Sequence, residues 1–198
     1  MRVITKTTTT YTAVFTLVPE TPTAVEKRQP NVLKPSSIAI YHSFNGAITP
    51  PVSQGEVSRN SSNGRDTTTL VTFDLNGRTL PPTCSLRFHL DPKDSIASCT
   101  GTGHIDVFSS LKPAPIEGSA GWGGPGNQRN VPLGRMQVHG DGDATVLDFA
   151  PNQLGAFSCL EVGGLGVEGG VLAFELVPVG EQYRVTWDAG RSGLFLSW

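Results

Sequence analysis

The sequence lacks any apolar run of the roughly 18 residues that a membrane-spanning helix requires. Charge is also scarce: 16% of residues are Asp, Glu, Lys or Arg, and the formal net charge is −2. Because binding to phosphates needs clustered Lys and Arg, this balance excludes a strongly electrostatic nucleic-acid binder. Hydrophobic residues still make up 37% of the chain, enough for a folded core. The composition therefore predicts a folded protein without a transmembrane segment and without nucleic acid as a partner.

Long helical periods are missing as well, whereas short alternating segments and turn residues are abundant. Thr69–Leu75 and Cys84–Leu90 place an apolar side chain at every second position, which is typical of strands with one buried face. Seven further segments are candidate strands: Ile38–Phe44, His104–Phe108, Arg135–Val138, Thr145–Phe149, Val171–Pro178, Tyr183–Trp187 and Gly193–Trp198. About nine short strands predict an all-β fold, an antiparallel β-sandwich, with a closed β-barrel as the runner-up.

The N-terminal segment has no continuous apolar centre of the kind a signal peptide needs, since its best stretch, Ala13–Val18, is too short. We expect either an intracellular protein or a chain from which the start of a longer leader is missing. The segment is rich in Thr and Pro, like O-glycosylated stalks or a plain disordered tail. Lys27-Arg28 follows it, either as an ordinary solvated charge pair or as a propeptide site. We predict a leader over residues 1–36 and a single domain over residues 37–198.

Several strand segments together carry a resemblance to a known family. They read VTFDL, TCSLRFHLDP, GTGHIDVFSSL, FSCLEVGG, LAFELVPVG and VTWDAGRSGLFLSW. Over roughly Ile38 to Trp198 the chain resembles the fungal But-two C-terminal domain family, which is named after a binding partner of a ubiquitin-like-protein activating enzyme. The resemblance implies a secreted or surface β-sandwich with no assigned enzymatic activity. The chain departs from the family at its end, which has no terminal cysteine, and at Cys99, where Ser or Thr is more usual.

Motifs for catalysis and for cofactors are absent or incomplete. Gly164–Gly169 spells GxGxxG, but a strand pattern follows it instead of the helix that phosphate binding needs, so it predicts a glycine-rich connection. The chain has no GxSxG elbow and no HExxH motif. The sequence therefore predicts no catalytic residue, cofactor or metal site, and it leaves enzymatic activity undecided.

Two groups of residues could in principle hold a metal ion. Asp141 and Asp143 are spaced like calcium ligands, but the rest of an EF-hand loop is missing and a hairpin turn explains them better. His104 and Asp106 share one strand face, and His89 lies on the preceding predicted strand. These three side chains form either a small polar cluster or separate solvent-facing positions, since spacing alone does not show convergence.

Two surface positions are candidate contact or modification sites. Trp122 lies in the Gly-rich segment GSAGWGGPGNQ, where it either stacks on a glycan or protein partner or folds back over a sandwich edge. Asn60 begins the only N-x-[ST] sequon of the chain, in a polar segment typical of an exposed loop. We expect Asn60 to be glycosylated if the protein is secreted.

Three cysteines permit one disulfide bond and one free thiol. Cys84 opens an apolar strand and Cys159 ends an apolar run, so both are expected near the edge of the core. A hairpin turning at Asp91–Ser95 would place Cys99 opposite Leu90, too far from Cys84 for a disulfide. We therefore predict a Cys84–Cys159 bond and a free thiol at Cys99. The alternative is three reduced cysteines in a cytosolic protein.

Two functions fit these observations. One is a non-catalytic secreted or cell-wall-associated fungal β-sandwich whose surface loops bind glycan or protein, which the leader, the basic pair and the sequon favour. The other is an intracellular accessory protein, either an adaptor of a ubiquitin-like pathway or an accessory enzyme acting on an apolar small molecule. The missing signal peptide favours this second function.

Overall fold

The computed structural model describes residues 31–60, 62–79, 81–121, 128–147, 154–159, 170–180 and 182–198. Lys27, Arg28, Trp122 and Gly164–Gly169 lie outside these ranges. Regular structure within the ranges consists of strands alone, which confirms the all-β prediction. In chain order they are β1 (Val32–Leu33), β2 (Ser37–His42), β3 (Ala47–Ile48), β4 (Gln54–Arg59), β5 (Thr67–Asp74), β6 (Thr83–Leu90), β7 (Ser98–Thr100), β8 (His104–Ser110), β9 (Ser119–Ala120), β10 (Arg129–Gln137), β11 (Gly142–Asp143), β12 (Thr145–Leu147), β13 (Phe157–Ser158), β14 (Val171–Pro178), β15 (Tyr183–Asp188) and β16 (Gly193–Ser197).

The strands form two sheets in which every described pairing is antiparallel. The smaller sheet has the order β1-β16-β6-β11, and β13 also pairs with β6. The larger sheet follows the path β12-β10-β8-β14-β5-β2-β3-β9, and β4 joins β5 to β15, which pairs with β7. Among the described strands this path does not close on itself. The arrangement is therefore the predicted sandwich and not the runner-up barrel.

The main core lies between the two sheets and follows the alternation of the sequence. Along β6 every second side chain from Cys84 to Leu90 is buried. In the larger sheet, the neighbouring strands β5 and β14 supply Phe73 and Phe174, whose rings meet edge to face with centroids 5.9 Å apart. Period-2 patterns therefore produced buried faces where we expected them.

Trp187 on β15 is the largest side chain at the centre of this core, and only 1% of it is exposed. Its indole meets the ring of Phe88 edge to face, with centroids 5.1 Å apart. A Cβ atom placed on Gly55 of β4 or on Gly193 of β16 would overlap the indole. Both glycines are therefore required by close approach, because the indole occupies the space where their side chains would stand.

The larger sheet is also covered on its second face. A small cluster of buried side chains lies there, formed by Ala39, Tyr41, Ile48 and Leu70, with Ala114 packed against it. Ala114 belongs to the Gly/Pro-rich segment that follows β8, and β9 in the same segment pairs with β3. Burial on both faces explains why all residues from Thr67 to Phe73 in β5 are buried.

All nine predicted strands are present, and Thr145–Phe149 is confirmed as far as Leu147. The most substantial strand that the pattern missed is β4, because only Gly55 and Val57 of its six residues are buried. The prediction also assumed a hairpin between the segment of Cys99 and β6, and this was wrong. Cys99 instead lies opposite Val185 of β15.

The contact between Gly55 and the indole of Trp187 generates a stability prediction. Gly55→Ala should lower the free energy of unfolding by about 3 kcal/mol, because overpacking forces the indole or β4 to shift. Chemical denaturation with tryptophan fluorescence measures the loss. Gly140→Ala is the matched control, since a Cβ atom there meets nothing within 4 Å. Equal stability of the two variants would contradict the proposed packing.

Candidate functional site

An open groove of about 660 Å³ lies where the ends of β2, β4, β5, β7 and β15 meet on the larger sheet. Its walls are mostly polar or charged: Arg59, Arg65, Arg184, Glu56, Ser58, Asn60 and Gln182. His42 and Phe44 add two rings, and the ring centroids are 5.6 Å apart. Phe44 remains 47% exposed, so part of its ring is open to solvent at the groove.

Two short loops build the wall that carries the rings and Arg65. The strand pair β2 and β5 ends with His42 opposite Thr67, so the loop after β2 and the loop before β5 share one edge of the sheet. In the first loop, the amide of Gly46 donates to the carbonyl of His42 at 2.8 Å. In the second, the side chain of Asn63 accepts a hydrogen bond from the amide of Arg65 at 3.0 Å. One backbone–backbone bond and one side-chain-to-backbone bond thus hold the two loops in defined turns.

The three arginines of the groove differ in their surroundings. Arg184 donates to the carboxylate of Glu56 at 2.8 Å, and Arg59 lies 3.7 Å from the carboxylate of Asp66. The guanidinium of Arg65 instead lies over the ring of Phe44, 5.3 Å from its centroid. Among the described residues, Arg65 has no acidic partner. It is therefore the arginine whose N–H groups are available to a ligand.

Tyr183 forms part of the groove floor but is a structural residue. Its side chain is buried, and its hydroxyl donates to the carbonyl of His104 and accepts a bond from the amide of Val179 at 3.2 Å. Burial raises the pKa of Tyr183, so the phenol stays neutral. A Cβ atom on Gly101, which has a φ of 73°, would lie 2.6 Å from the Tyr183 Cβ. The fit of Gly101 against Tyr183 fixes the floor of the groove.

A second polar cluster lies under the segment after β8, and its charges are already paired. The wholly buried Glu175 accepts two hydrogen bonds from Arg129, at 2.8 and 2.7 Å, and one from Thr68 at 2.8 Å. The hydrogen bonds to Glu175 raise the pKa of Arg129, and burial together with the Glu175 charge raises the pKa of Tyr41. This bidentate pair between the buried carboxylate of Glu175 and the exposed side chain of Arg129 is a structural feature of the sheet face.

Of the two interpretations of His89, His104 and Asp106, the structure favours separate positions over a polar cluster. His89 lies on the smaller sheet and contacts Asp143 at 2.9 Å, whereas Asp106 lies on the larger sheet and binds Arg135 through two hydrogen bonds of 2.6 and 3.0 Å. His104 shares the larger sheet with Asp106. The alternating sequence pattern predicted which strand face each residue occupies. It could not show that His89 lies on a different sheet from His104 and Asp106.

Asp141 and Asp143 lie in the connection between the paired strands β10 and β12, as the hairpin interpretation expected. Gly142 between them has a φ of 75°. Burial alone would raise the pKa of Asp143, but hydrogen bonds from Arg87 and His89 outweigh it and lower the pKa. Within the described ranges, no group of three or more His, Cys, Asp or Glu side chains could hold a metal ion.

The structure contains the predicted disulfide bond between Cys84 and Cys159, whose Cα atoms lie 5.2 Å apart. Both cysteines are buried, and the bond lies where β13 pairs with the start of β6. Cys99 is free and half-buried, and its thiol lies 3.4 Å from the carbonyl oxygen of Val138. Burial raises the pKa of this thiol.

Asn60 stands on the wall of the groove, whereas sequence reasoning treated it as an isolated loop position. The sequence analysis did not single out Arg65, Phe44 or Arg184. A signal was present in the two turn-forming segments HSFNG and NSSNGRD, but their proximity depends on the pairing of β2 with β5.

Comparison with known proteins identified no family or relative. No protein-family model matches the chain, and no curated protein matches it significantly. The resemblance to the But-two C-terminal domain family stays a prediction from the residues. None of the described residues form a helix long and apolar enough to span a bilayer.

The cysteine arrangement predicts the result of a thiol titration. Protein prepared without reductant and then unfolded should show one reactive thiol, that of Cys99. In the folded protein the same thiol should react more slowly, because it is half-buried and its pKa is raised. A titration with a chromogenic disulfide reagent measures both rates. Three thiols in the unfolded sample would reject the Cys84–Cys159 bond.

Proposed function

We propose that this protein is a non-catalytic, secreted or surface-exposed β-sandwich whose groove binds an acidic carbohydrate. The observation that carries the proposal is the position of the Arg65 guanidinium over the exposed ring of Phe44, 5.3 Å from the ring centroid. The contact with the ring restrains the guanidinium, and its N–H groups can pair with one carboxylate through two parallel hydrogen bonds. The ring thereby reduces the entropy that Arg65 would lose on binding.

The charge of the groove also favours an anionic ligand. Three arginines line it against a single described carboxylate, that of Glu56, although the whole chain carries a net charge of −2. A positive recess on a weakly negative protein selects for anions locally. Arg184 is paired with Glu56, and Arg59 lies 3.7 Å from the carboxylate of Asp66, so among the described residues the positive charge without an acidic partner is that of Arg65.

The remaining lining favours a saccharide over a protein surface. Apart from the ring of Phe44, the wall consists of hydroxyl, amide and charged groups, such as Ser58, Asn60 and Gln182. A protein interface normally has an apolar centre, which this groove lacks among the residues described. Sugar hydroxyls, in contrast, pair with amide and hydroxyl groups, and sugar rings pack on aromatic side chains.

The groove offers binding groups without a catalytic pair. Glycoside hydrolysis generally uses two carboxylates on opposite sides of the bond. The carboxylate of Glu56 is the only one among the described lining residues, and Arg184 holds it at 2.8 Å. The hydroxyl of Tyr183 is engaged by two backbone groups. These contacts support a binding role.

Secretion is proposed from three features that act together. Disulfide bonds form and persist in oxidising compartments, and the Cys84–Cys159 bond is buried within the fold. Lys27-Arg28 precedes β1 by a few residues, and the Asn60 sequon is accessible on the groove wall. A fungal cell-wall location, which the family resemblance implies, belongs to the same proposal.

The binding proposal predicts selective binding of uronic-acid oligosaccharides. Protein without a glycan should bind an oligogalacturonide and not a neutral oligosaccharide of the same length, in titration calorimetry at low salt. Arg65→Gln should weaken the affinity about tenfold, because a charge-assisted hydrogen bond of about 1.4 kcal/mol is lost. Arg191→Gln is the control, since Arg191 is exposed at the opposite end of β15. Equal affinities of the two variants, or equal binding of both sugars, would reject the proposal.

The processing proposal predicts that the mature protein begins at or near Gln29. Cleavage after Arg28 would leave intact the backbone bonds between Asn31 and Trp198, at 2.9 and 3.1 Å, which join β1 to β16. Sequencing the N-terminus of protein from its natural source tests this directly. A recombinant chain starting at Gln29 should unfold at the same temperature as the full chain, whereas one starting at Lys34 should unfold several degrees lower. Native protein that retains residues 1–28 would count against processing.

A further inference from the structure

We infer that an N-linked glycan on Asn60 lies in the groove and excludes an external saccharide from it. The inference rests on the proposed function, because it takes the groove as the ligand site and secretion as the route to modification. It goes further, because it makes the glycosylation of Asn60 decide whether the groove is open to a ligand. Two observations support it: hydrogen bonds hold the Oδ1 atom of Asn60 and leave Nδ2 without a partner among the described residues, and Asn60 lines the same groove as Arg65 and Phe44.

The sequon has the geometry that leaves its acceptor nitrogen available. The Oδ1 atom of Asn60 accepts hydrogen bonds from the amide of Ser62 at 3.2 Å and from the hydroxyl of Ser62 at 2.6 Å. The backbone amide of Asn60 donates to the carboxylate of Asp66 at 3.3 Å. The Nδ2 atom has no hydrogen-bond partner among the described residues. The side chain is therefore held by its oxygen, and its nitrogen is presented to a sugar.

Attachment at this nitrogen is a balanced group transfer. A bond forms between Nδ2 of Asn60 and C1 of the first sugar, and the bond between C1 and the pyrophosphate oxygen of a lipid-linked oligosaccharide donor breaks. Nδ2 loses one proton, and the lipid pyrophosphate leaves. The product places the first sugar ring directly at the wall that also carries Arg65 and Phe44.

The groove is suited to hold the sugars that follow. Asn60 follows the strand end that carries Ser58, and Gln182 and Arg184 line the groove from the start of the neighbouring strand, where Arg184 lies opposite Ser58. These groups can pair with the hydroxyl and N-acetyl groups of a tethered glycan. Because the glycan is covalently attached, its local concentration far exceeds that of a free ligand, so weak contacts suffice to keep it in place.

The experiment compares the secreted protein with and without the glycan, using two different substitutions to remove it. Wild-type protein from a eukaryotic host is compared with Ser62→Ala, which keeps Asn60 but destroys the sequon, and Asn60→Gln is a second glycan-free variant. All three proteins are treated with phenylglyoxal, which modifies exposed arginines, and the modification of each arginine is followed by mass spectrometry. Arg191 is the internal control, because it is exposed away from the groove.

We expect Arg65 to react several-fold more slowly in the glycosylated form, with Arg191 unchanged. We also expect the glycosylated form to bind an oligogalacturonide about tenfold more weakly than Ser62→Ala. A secreted protein with no glycan on Asn60, or equal reactivity of Arg65 in both forms, would overturn the inference. Protection of Arg65 without saccharide binding by any form would support the glycan's position and reject the proposed function.

Discussion

The fold depends on the indole of Trp187, which joins the two sheets at their centre. It extends from β15 of the larger sheet against Phe88 of the smaller sheet, between the backbones of Gly55 and Gly193. Two glycines on different sheets thus provide the space that one large ring fills. Since well-packed interiors tolerate neither voids nor overlap, this contact fixes the separation of the sheets and the position of β4.

The groove is a consequence of the same strand. β15 alternates between core and surface, so Val185 and Trp187 point inward while Arg184 lies on the groove. At its other end, the amide of Asp188 donates to the buried carboxylate of Asp94 at 2.9 Å. Burial alone would raise the pKa of Asp94, but this bond and others from Ser192 and neighbouring amides outweigh it and lower the pKa. β15 is held by its buried side chains and by the bond at Asp188, so it gives the groove a rigid wall.

The sequence predicted what depends on local alternation and missed what depends on pairing between distant segments. Val171–Pro178 was predicted to the residue, because a short and mostly apolar run flanked by glycines marks a strand. β4 was missed, since the space that its Gly55 leaves for Trp187 is invisible in a hydrophobicity pattern. The groove was missed for a related reason: Phe44, Arg65 and Arg184 come from three segments that only the sheet brings together. The disulfide was predicted correctly from expected burial, although the hairpin assumed for Cys99 was wrong.

Secretion would modify the protein at two separate places, through the disulfide bond and through the proposed glycan on Asn60. The Cys84–Cys159 bond belongs to the smaller sheet, whereas the groove lies on the larger one, so the groove geometry does not depend on the bond directly. The disulfide acts on stability, and in the chain-entropy model a cross-link over 75 residues contributes about 4 kcal/mol. The glycan that we propose on Asn60 would, in contrast, act on access to the groove. Passage through one secretory route would therefore stabilise the sandwich and occupy its groove together, so that an open groove requires a mature protein that lacks the glycan.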